Sequence, residues 1–186
     1  YADALDIENV YPSYEAGEDI YADLFTRLDA AIDGLDAAGG SFGSADLYYG
    51  GDVGQWVKFG NTLKVKMAIV TADANDAASQ TAIEEAYADA FTSSDDDCLM
   101  PYLTASPNFN PIHDNLVASG RDDYVPANTL VDMMNGLNDP RRDDFFTLID
   151  TSGSGDNVYF GGQYGESSAF ANHSHVSAKI QAASFK

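Results

Sequence analysis

The stretch Tyr49–Val70, YGGDVGQWVKFGNTLKVKMAIV, decides the fold class of this chain. Asp52 stands where a side-chain oxygen can accept an N–H of a first helical turn, and Gln55 occupies the place from which a capping-box partner reaches back to the cap. A helix therefore starts at Val53. At about 100° per residue, Trp56, Phe59, Gly60, Leu63, Met67 and Val70 share one narrow arc, which must be covered by another element. Val65 and Ile69 lie nearly opposite, with Lys58, Asn61 and Lys64 separating the two apolar sides. A helix patterned on two sides suits a position between neighbours in a stack of helix pairs.

Upstream, residues 1–17 read as an extended lead-in carrying Tyr1, Tyr11, Pro12 and Tyr14. From Glu18 to Leu35, Ile20, Leu24, Leu28, Ala31, Ile32 and Leu35 form an apolar arc behind an acidic first turn, with Gly39 and Gly40 just beyond the end. Downstream, Asp73–Asp76 interrupts the pattern. A third helix over Ala77–Phe91 then places Ile83, Ala86, Tyr87, Ala90 and Phe91 on one face. The pair 53–71 and 77–91 reads as a helical hairpin of tetratricopeptide type, although the consensus of that repeat is absent. After Ser93, Pro, Asn, Gly and Asp dominate. A short helix over Ala127–Leu137 is the exception, opened by Pro126, given a buried side by Leu130, Val131, Met134 and Leu137, and ended by Asn138-Asp139-Pro140. The expected fold is mainly α, with tetratricopeptide-like helical hairpins, an irregular loop-rich region and little strand. Residues 1–92 form the helical scaffold and residues 93–186 the loop-rich candidate ligand region, since loops on a rigid scaffold are where binding groups collect.

Composition removes several classes of function. Nine basic against 30 acidic residues give a formal charge of -21, which repels nucleic-acid phosphates and anionic lipid surfaces. With 45% apolar residues in 186, the chain has enough to form a core. Cys98 is the single cysteine, so no internal disulfide and no thiolate metal cluster can form. No apolar run reaches the roughly 18 residues of a membrane-spanning helix, and no signal peptide is present, so any membrane attachment lies outside this sequence.

His173 and His175, in Asn-His-Ser-His, could aim two imidazoles at one metal from a strand, but His113 is the sole further imidazole; a polar loop is the simpler reading. Asp95, Asp96 and Asp97 lack the alternating spacing of a calcium loop, and Asp156 in GSGDN reads as turn chemistry. Carboxylate pairs such as Asp122/Asp123 and Asp143/Asp144 have the composition of a glycosidase acid and base, yet pairs arise by chance among so many acids. GxSxG, the Walker loop and HExxH are all missing. The chain reads as a non-enzyme with no cofactor. Sugar rings present apolar C–H faces rimmed by hydroxyls, so a sugar site wants flat aromatics with amide, guanidinium or carboxylate groups beside them. The loop-rich half supplies Tyr102, Phe109, Tyr124 and Tyr164 as candidate platforms, alongside Tyr159, Phe160 and Phe170. Asn108, His113 and Arg121 are the candidate polar edges, with Asn110 and Asn172 in reserve. Trp56 belongs to the apolar arc and is assigned to helix packing.

The Tyr49–Val70 segment also resembles a recurring Tyr/Gly-Asp…Trp-x-Lys-Phe…Leu-Lys-x-x-x-Ala signature of the SusD/RagB family, the nutrient-binding lipoproteins of Bacteroidetes-type outer membranes. YEAGEDIYADLFTRLDAAIDGLD is similar to that family's preceding helix, and Asp139, Pro140, Arg141, Phe145 and Phe146 to its Asp-Pro-Arg…Phe element, which the resemblance makes structural with Arg141 paired internally. The resemblance implies part of one SusD-like domain, a middle section of a longer protein: nothing resembles the lipidated N-terminal cysteine segment, and a further helical region is expected after Ala178-Lys179-Ile180-Gln181. It also implies a cell-surface protein, lipid-anchored outside this chain, that captures an oligosaccharide or similar nutrient and delivers it to a SusC-type TonB-dependent transporter. Capture of a peptide or another non-sugar nutrient remains open, as does a carboxylate-pair glycoside hydrolase.

Overall fold

A computed structural model describes residues 1–4 and 6–184, which divide into two compact units, Tyr1–Met100 and Pro101–Lys186. The first unit is built on three helices: α1 (Gly17–Asp33), α2 (Val53–Thr71) and α3 (Asp76–Ala86). Asp52 caps α2 as its position requires, accepting the Gln55 N–H at 3.2 Å. The reciprocal half of the capping box does not form, because the Gln55 side chain turns inward and leaves its Oε1 buried without a partner. Asn75 caps α3 through the Ala78 N–H. α1 closes on Gly34, whose N–H returns to Ala30 O at 3.1 Å, close to the end expected at Leu35 and ahead of the Gly39-Gly40 pair beyond it.

α2 lies between α1 and α3, and α2 and α3 form an antiparallel hairpin. Thr71 and Ser79 hydroxyls meet at 3.1 Å beside the turn, while the Phe91 N–H reaches Thr62 Oγ1 at 2.8 Å at the far end. The fully covered line along α2 is Gly60, Lys64 and Ala68, so the sealed seam is narrower than the apolar arc. Trp56, Phe59, Leu63 and Met67 are half-buried, whereas Val70 is 60% exposed. Lys64 departs from the dividing role expected of it. Only 7% exposed, it reaches Asp29 on α1 at 2.8 Å and Glu85 on α3 at 2.9 Å, and so ties both neighbours to the central helix. Gly60 marks the closest approach to α1: a Cβ there would stand 2.7 Å from Ile32 Cγ1. α3 stops at Ala86 and continues only as a tight turn over Tyr87–Asp89, which leaves Tyr87 exposed and not on a buried face.

Trp56 is the hub of this unit's aromatic packing, edge-on to Tyr48, Tyr49 and Phe59 at 5.9, 5.2 and 5.6 Å, with its indole N–H given to Asp46 at 2.8 Å. That Asp46 carboxylate also accepts the N–H groups of Tyr48, Tyr49 and Gly51, which fixes the turn leading into α2. The assignment of Trp56 to packing agrees with this geometry.

The second unit contains a single turn of helix, α4 (Pro111–His113), running into a wider turn over Asp114–Ala118. Then come α5 (Asn128–Gly136), α6 (Arg142–Phe145) and a two-residue antiparallel pair, β1 (Ile149–Asp150) with β2 (Asn157–Val158). α4, α6 and the hairpin add structure that the loop-like composition hides. The core is Val131, Met134 and Phe146, with Phe145 and Tyr159 against it. Leu130 and Leu137, expected on the buried side of α5, face solvent, because one nine-residue helix covered on one side buries only one stripe. Asn138, at φ 48°, ends that helix. Single ladders join the rest: Asn128 N to Gly162 O and Gly162 N to Pro126 O at 2.8 Å each, and Thr147 N to His175 O at 2.9 Å. Gly161 is required at the first of these, since a Cβ would come within 2.7 Å of the Asn128 backbone.

The Asp139-Pro140-Arg141 element is structural. Asp139 is buried and accepts from the Arg141 N–H, Nε and Nη2 at 2.9, 3.0 and 2.5 Å. Arg142 donates to Asp139 O and Asn135 Oδ1 and lies 5.4 Å over the Tyr159 ring. The chain is thus mainly α with little strand, as its sequence patterning requires.

Candidate ligand site

The structure gathers the candidate site residues in pairs. Phe109 is half-buried and meets the His113 ring edge-on at 5.1 Å, while His113 Nδ1 stands 2.9 Å from Gln181 O and so donates to it. Arg121 grips Asp123 with Nε at 2.8 Å and Nη2 at 2.5 Å, and its guanidinium lies 4.8 Å over the Tyr124 ring. Tyr124 remains 43% exposed. Tyr102 is half-buried, and Asn108, with an exposed side chain, closes a local turn by accepting the Leu103 N–H at 2.7 Å. Tyr164 sits on a turn at 81% exposure, its N–H held by Asn128 Oδ1 at 3.2 Å. Among the described contacts, no hydrogen bond or ring contact joins the Phe109/His113 pair, the Arg121/Tyr124 pair and Tyr164 to one another. Asn110 is buried and unavailable as a polar edge: its Nδ2 donates to Ile180 O at 2.7 Å and its Oδ1 caps the Ile112 N–H.

The sequence reading named Phe160, Phe170 and the two histidines but did not pair them. Phe160, 45% exposed, stacks on His173 at 5.1 Å with the rings 13° from parallel, and Phe170 stacks on His175 at 3.7 Å. The two imidazoles of the His-x-His run therefore serve different phenyl rings. Their nitrogens also point to different carbonyls, His173 Nδ1 to Ala169 O at 2.7 Å and His175 Nε2 to Phe170 O at 3.0 Å. Among the described residues no three His, Cys, Asp or Glu side chains converge as a metal site would require.

The carboxylates have local work. Asp96, 3% exposed, receives Lys58 at 2.6 Å and the N–H groups of Thr92 and Ser93. Those bonds, Lys58 first, hold its pKa down at about 2, and Arg141 does the same for Asp139, also to about 2. Asp123 is lowered by Arg121, and Asp150 by the N–H of Gly155 foremost, with those of Ser152 and Gly153, across the turn between β1 and β2. Asp143 accepts the Tyr159 hydroxyl and Asp144 pairs with Lys179. Each resolved carboxylate shift runs downward, opposite to what a glycosidase acid requires.

Concave surface occurs in the helical unit. A groove of about 660 Å³ runs between α1 and α3 over the end of α2, walled by Tyr21 and Phe25 on one side and Ala78 and Ala82 on the other, with Lys64 at its base. Small residues of α3 facing aromatics of α1 are its sequence signal.

The whole of residues 1–185 matches the model of the SusD-like family described as starch-binding and associating with the outer membrane. The chain belongs to that family, a nutrient-binding and non-catalytic one. Its fold is similar to a chitin-binding SusD homologue from Flavobacterium johnsoniae, at 26% identity and a TM-score of 0.73 over 97% of this chain and 38% of that one. A SusD homologue from Bacteroides uniformis ATCC 8492 is 29% identical with a TM-score of 0.71, over 89% of this chain and 36% of the other. One from Bacteroides vulgatus ATCC 8482 shares the fold at a TM-score of 0.74 and 20% identity, over 100% of this chain and 38% of its own. The chain spans less than two fifths of the length of these structures. No curated protein sequence matches it. No helix among the described residues is long and apolar enough to cross a membrane.

Proposed function

We propose that the protein this chain belongs to binds an oligosaccharide at the outer-membrane surface and passes it to a SusC-type TonB-dependent transporter, held to the membrane by a lipid anchor outside the chain. Membership of a starch-binding, outer-membrane-associated family over residues 1–185 carries this reading. A fold shared with a chitin-binding homologue supports a sugar cargo over a peptide. In this reading residues 1–92 are part of the scaffold, and the loop-rich residues 93–186 meet the ligand. Tyr102, Phe109, Tyr124 and Tyr164 provide apolar faces, and Asn108, His113 and Arg121 provide hydrogen bonds at their edges. Recognition is by a surface formed in advance, and no bond is cleaved.

Calorimetric titration with malto- and chito-oligosaccharides, with peptides as the contrasting arm, tests the cargo. Saturable binding of a glycan without product formation is the expected result. Binding of peptides alone, or turnover of a bound glycan, would discard it. Co-purification with a transporter barrel tests delivery separately.

A further inference from the structure

α1 carries a full apolar arc and yet seals none of it. Tyr21, Leu24, Phe25 and Leu28 are all half-buried, because α2 is the helix packed along it. Its other side opens into the groove of about 660 Å³ shared with α3. Both walls of that groove follow helix axes. Tyr21, Phe25 and Asp29 are spaced by four residues on α1, and Ala78, Ala82 and Glu85 by four and three on α3, so each wall extends for about two turns, or about 11 Å. Rings on one wall and methyl groups on the other leave a channel into which a third helix can settle, ridge into groove. A helix about 10 Å across fills roughly 900 Å³ over that length, so the groove holds the larger part of two turns and leaves a polar back in solvent. Charge narrows the occupant. Glu18, Asp29 and Glu85 line the groove against the single ammonium of Lys64. Asp29 and Glu85 each commit one oxygen to Lys64, at 2.8 and 2.9 Å, and the second oxygen of each has no partner among the described residues. Glu18 likewise has no cation within ion-pair range among them.

We propose that the groove between α1 and α3 docks an amphipathic α-helix of a partner that carries lysine or arginine beside its apolar stripe. A second copy of the chain is the wrong occupant. The apolar face that α5 exposes, Leu130 and Met133, is flanked by Asp132, and α5 holds no lysine or arginine. In the docked state α1 gains a second neighbour, and the partner's stripe lies between Phe25 and Ala82. The partner's cations meet Glu18 and the unpaired oxygens of Asp29 and Glu85, whereas an acidic helix would meet the same carboxylates with nothing to offset them.

The experiment is fluorescence anisotropy on the full chain with three labelled peptides of about 18 residues, long enough to hold a helix. One is a Leu/Ala/Lys sequence with its leucines three and four apart, the second has Glu for Lys, and the third is a shuffled Leu/Ala/Lys isomer with no apolar face. At about 0.15 M NaCl the amphipathic basic peptide should bind at least about tenfold more tightly than either of the others. Ala78→Trp, at an exposed position of the wall, should fill the channel and cut that affinity at least about tenfold, and Glu18→Gln should cut it about twofold to fivefold. Equal binding of the basic and shuffled peptides, or binding undiminished in Ala78→Trp, would reduce the attraction to net charge and overturn the docking site. Tighter binding of the acidic peptide would overturn the charge assignment. Sedimentation that finds a dimer of the chain, abolished by Ala78→Trp, would give the groove to a second copy and overturn the proposal as well.

Discussion

Gly60→Ala tests the seam between α1 and α2 with opposite outcomes in two backgrounds. In the middle of a helix, alanine is favoured over glycine by about 1 kcal/mol, so the substitution alone should stabilise an open helix. Here the new Cβ would stand 2.7 Å from Ile32 Cγ1 and 3.1 Å from its Cδ1. Overpacking of that kind typically costs about 1–3 kcal/mol, and Cγ1 is too close to the α1 backbone to swing aside freely. The net expectation is a loss of up to about 2 kcal/mol in the parent. Ile32→Ala removes both clashing atoms, at a cost near the low end of the usual 2–5 kcal/mol because Ile32 is only half-buried. In that background Gly60→Ala should become stabilising by about 1 kcal/mol, a coupling of about 1–3 kcal/mol between the two positions. Urea unfolding followed by tryptophan fluorescence is the assay. Trp56 is the only tryptophan and lies on α2, so the signal reports this unit without averaging over the other. Equal shifts of the midpoint in both backgrounds would show that Gly60 is not the contact point and that the α1–α2 packing described here is wrong.

Lys64→Ala should destabilise by about 1–2 kcal/mol, less than breaking a sealed pair, because Asp29 and Glu85 keep much of their hydration; Lys64→Met, which preserves the stem, should recover part of it, and a neutral result for both would deny Lys64 its bridging role. The carboxyls of Asp96 and Asp139, held at about 2, lie below the unfolded value of about 3.9, so their contribution is complete above about pH 4 and is lost as pH falls toward about 2. Asp96→Asn should therefore lower the midpoint at neutral pH and flatten the decline between those limits; an unchanged acid limb would contradict the pairing with Lys58. With a charge of -21, the melting temperature should rise as NaCl goes from about 0.1 to about 1 M and the screening length shrinks from about 10 to about 3 Å, and a falling melting temperature would show that exposed ion pairs outweigh self-repulsion.

What could be read in the sequence divides along the distance between partners. Asp52 and Gln55 are neighbours in the chain, and the start of α2 follows from that cap; the start of α3 was legible within a residue from the break over Asp73–Asp76, although its Asn75 cap was not read. The pairings Arg121 with Asp123 and Asp139 with Arg141 are two residues apart and belong to the same local grammar. Burial along α2 was legible only as an arc, because the width of the sealed line depends on how closely α1 approaches, and Gly60 permits contact that the other positions do not. Lys64 shows the limit most plainly. Its periodic position marks it as polar, yet partners from α1 and α3 converge on it and make it the most covered charged side chain of the central helix.

The loop-rich candidate region was the least legible, for the same physical reason. Its aromatics lie on loops whose course is set by single ladders, such as Phe160 with Ser174 and Asn128 with Gly162, and no periodicity announces which rings will meet. The His173–Phe160 stack spans a return of the chain that only the folded backbone reveals. Composition nevertheless constrained the chemistry where position did not. Thirty acids against nine bases mean that most cations in a compact chain will find a carboxylate before any ligand arrives, and the pairing of Arg121, Arg141 and Lys179 follows that rule. Side-chain planes and rings on such a chain keep their hydrogen-bonding and apolar faces while the cations beside them are paired, which is a property of the balance of the whole chain as much as of any one residue.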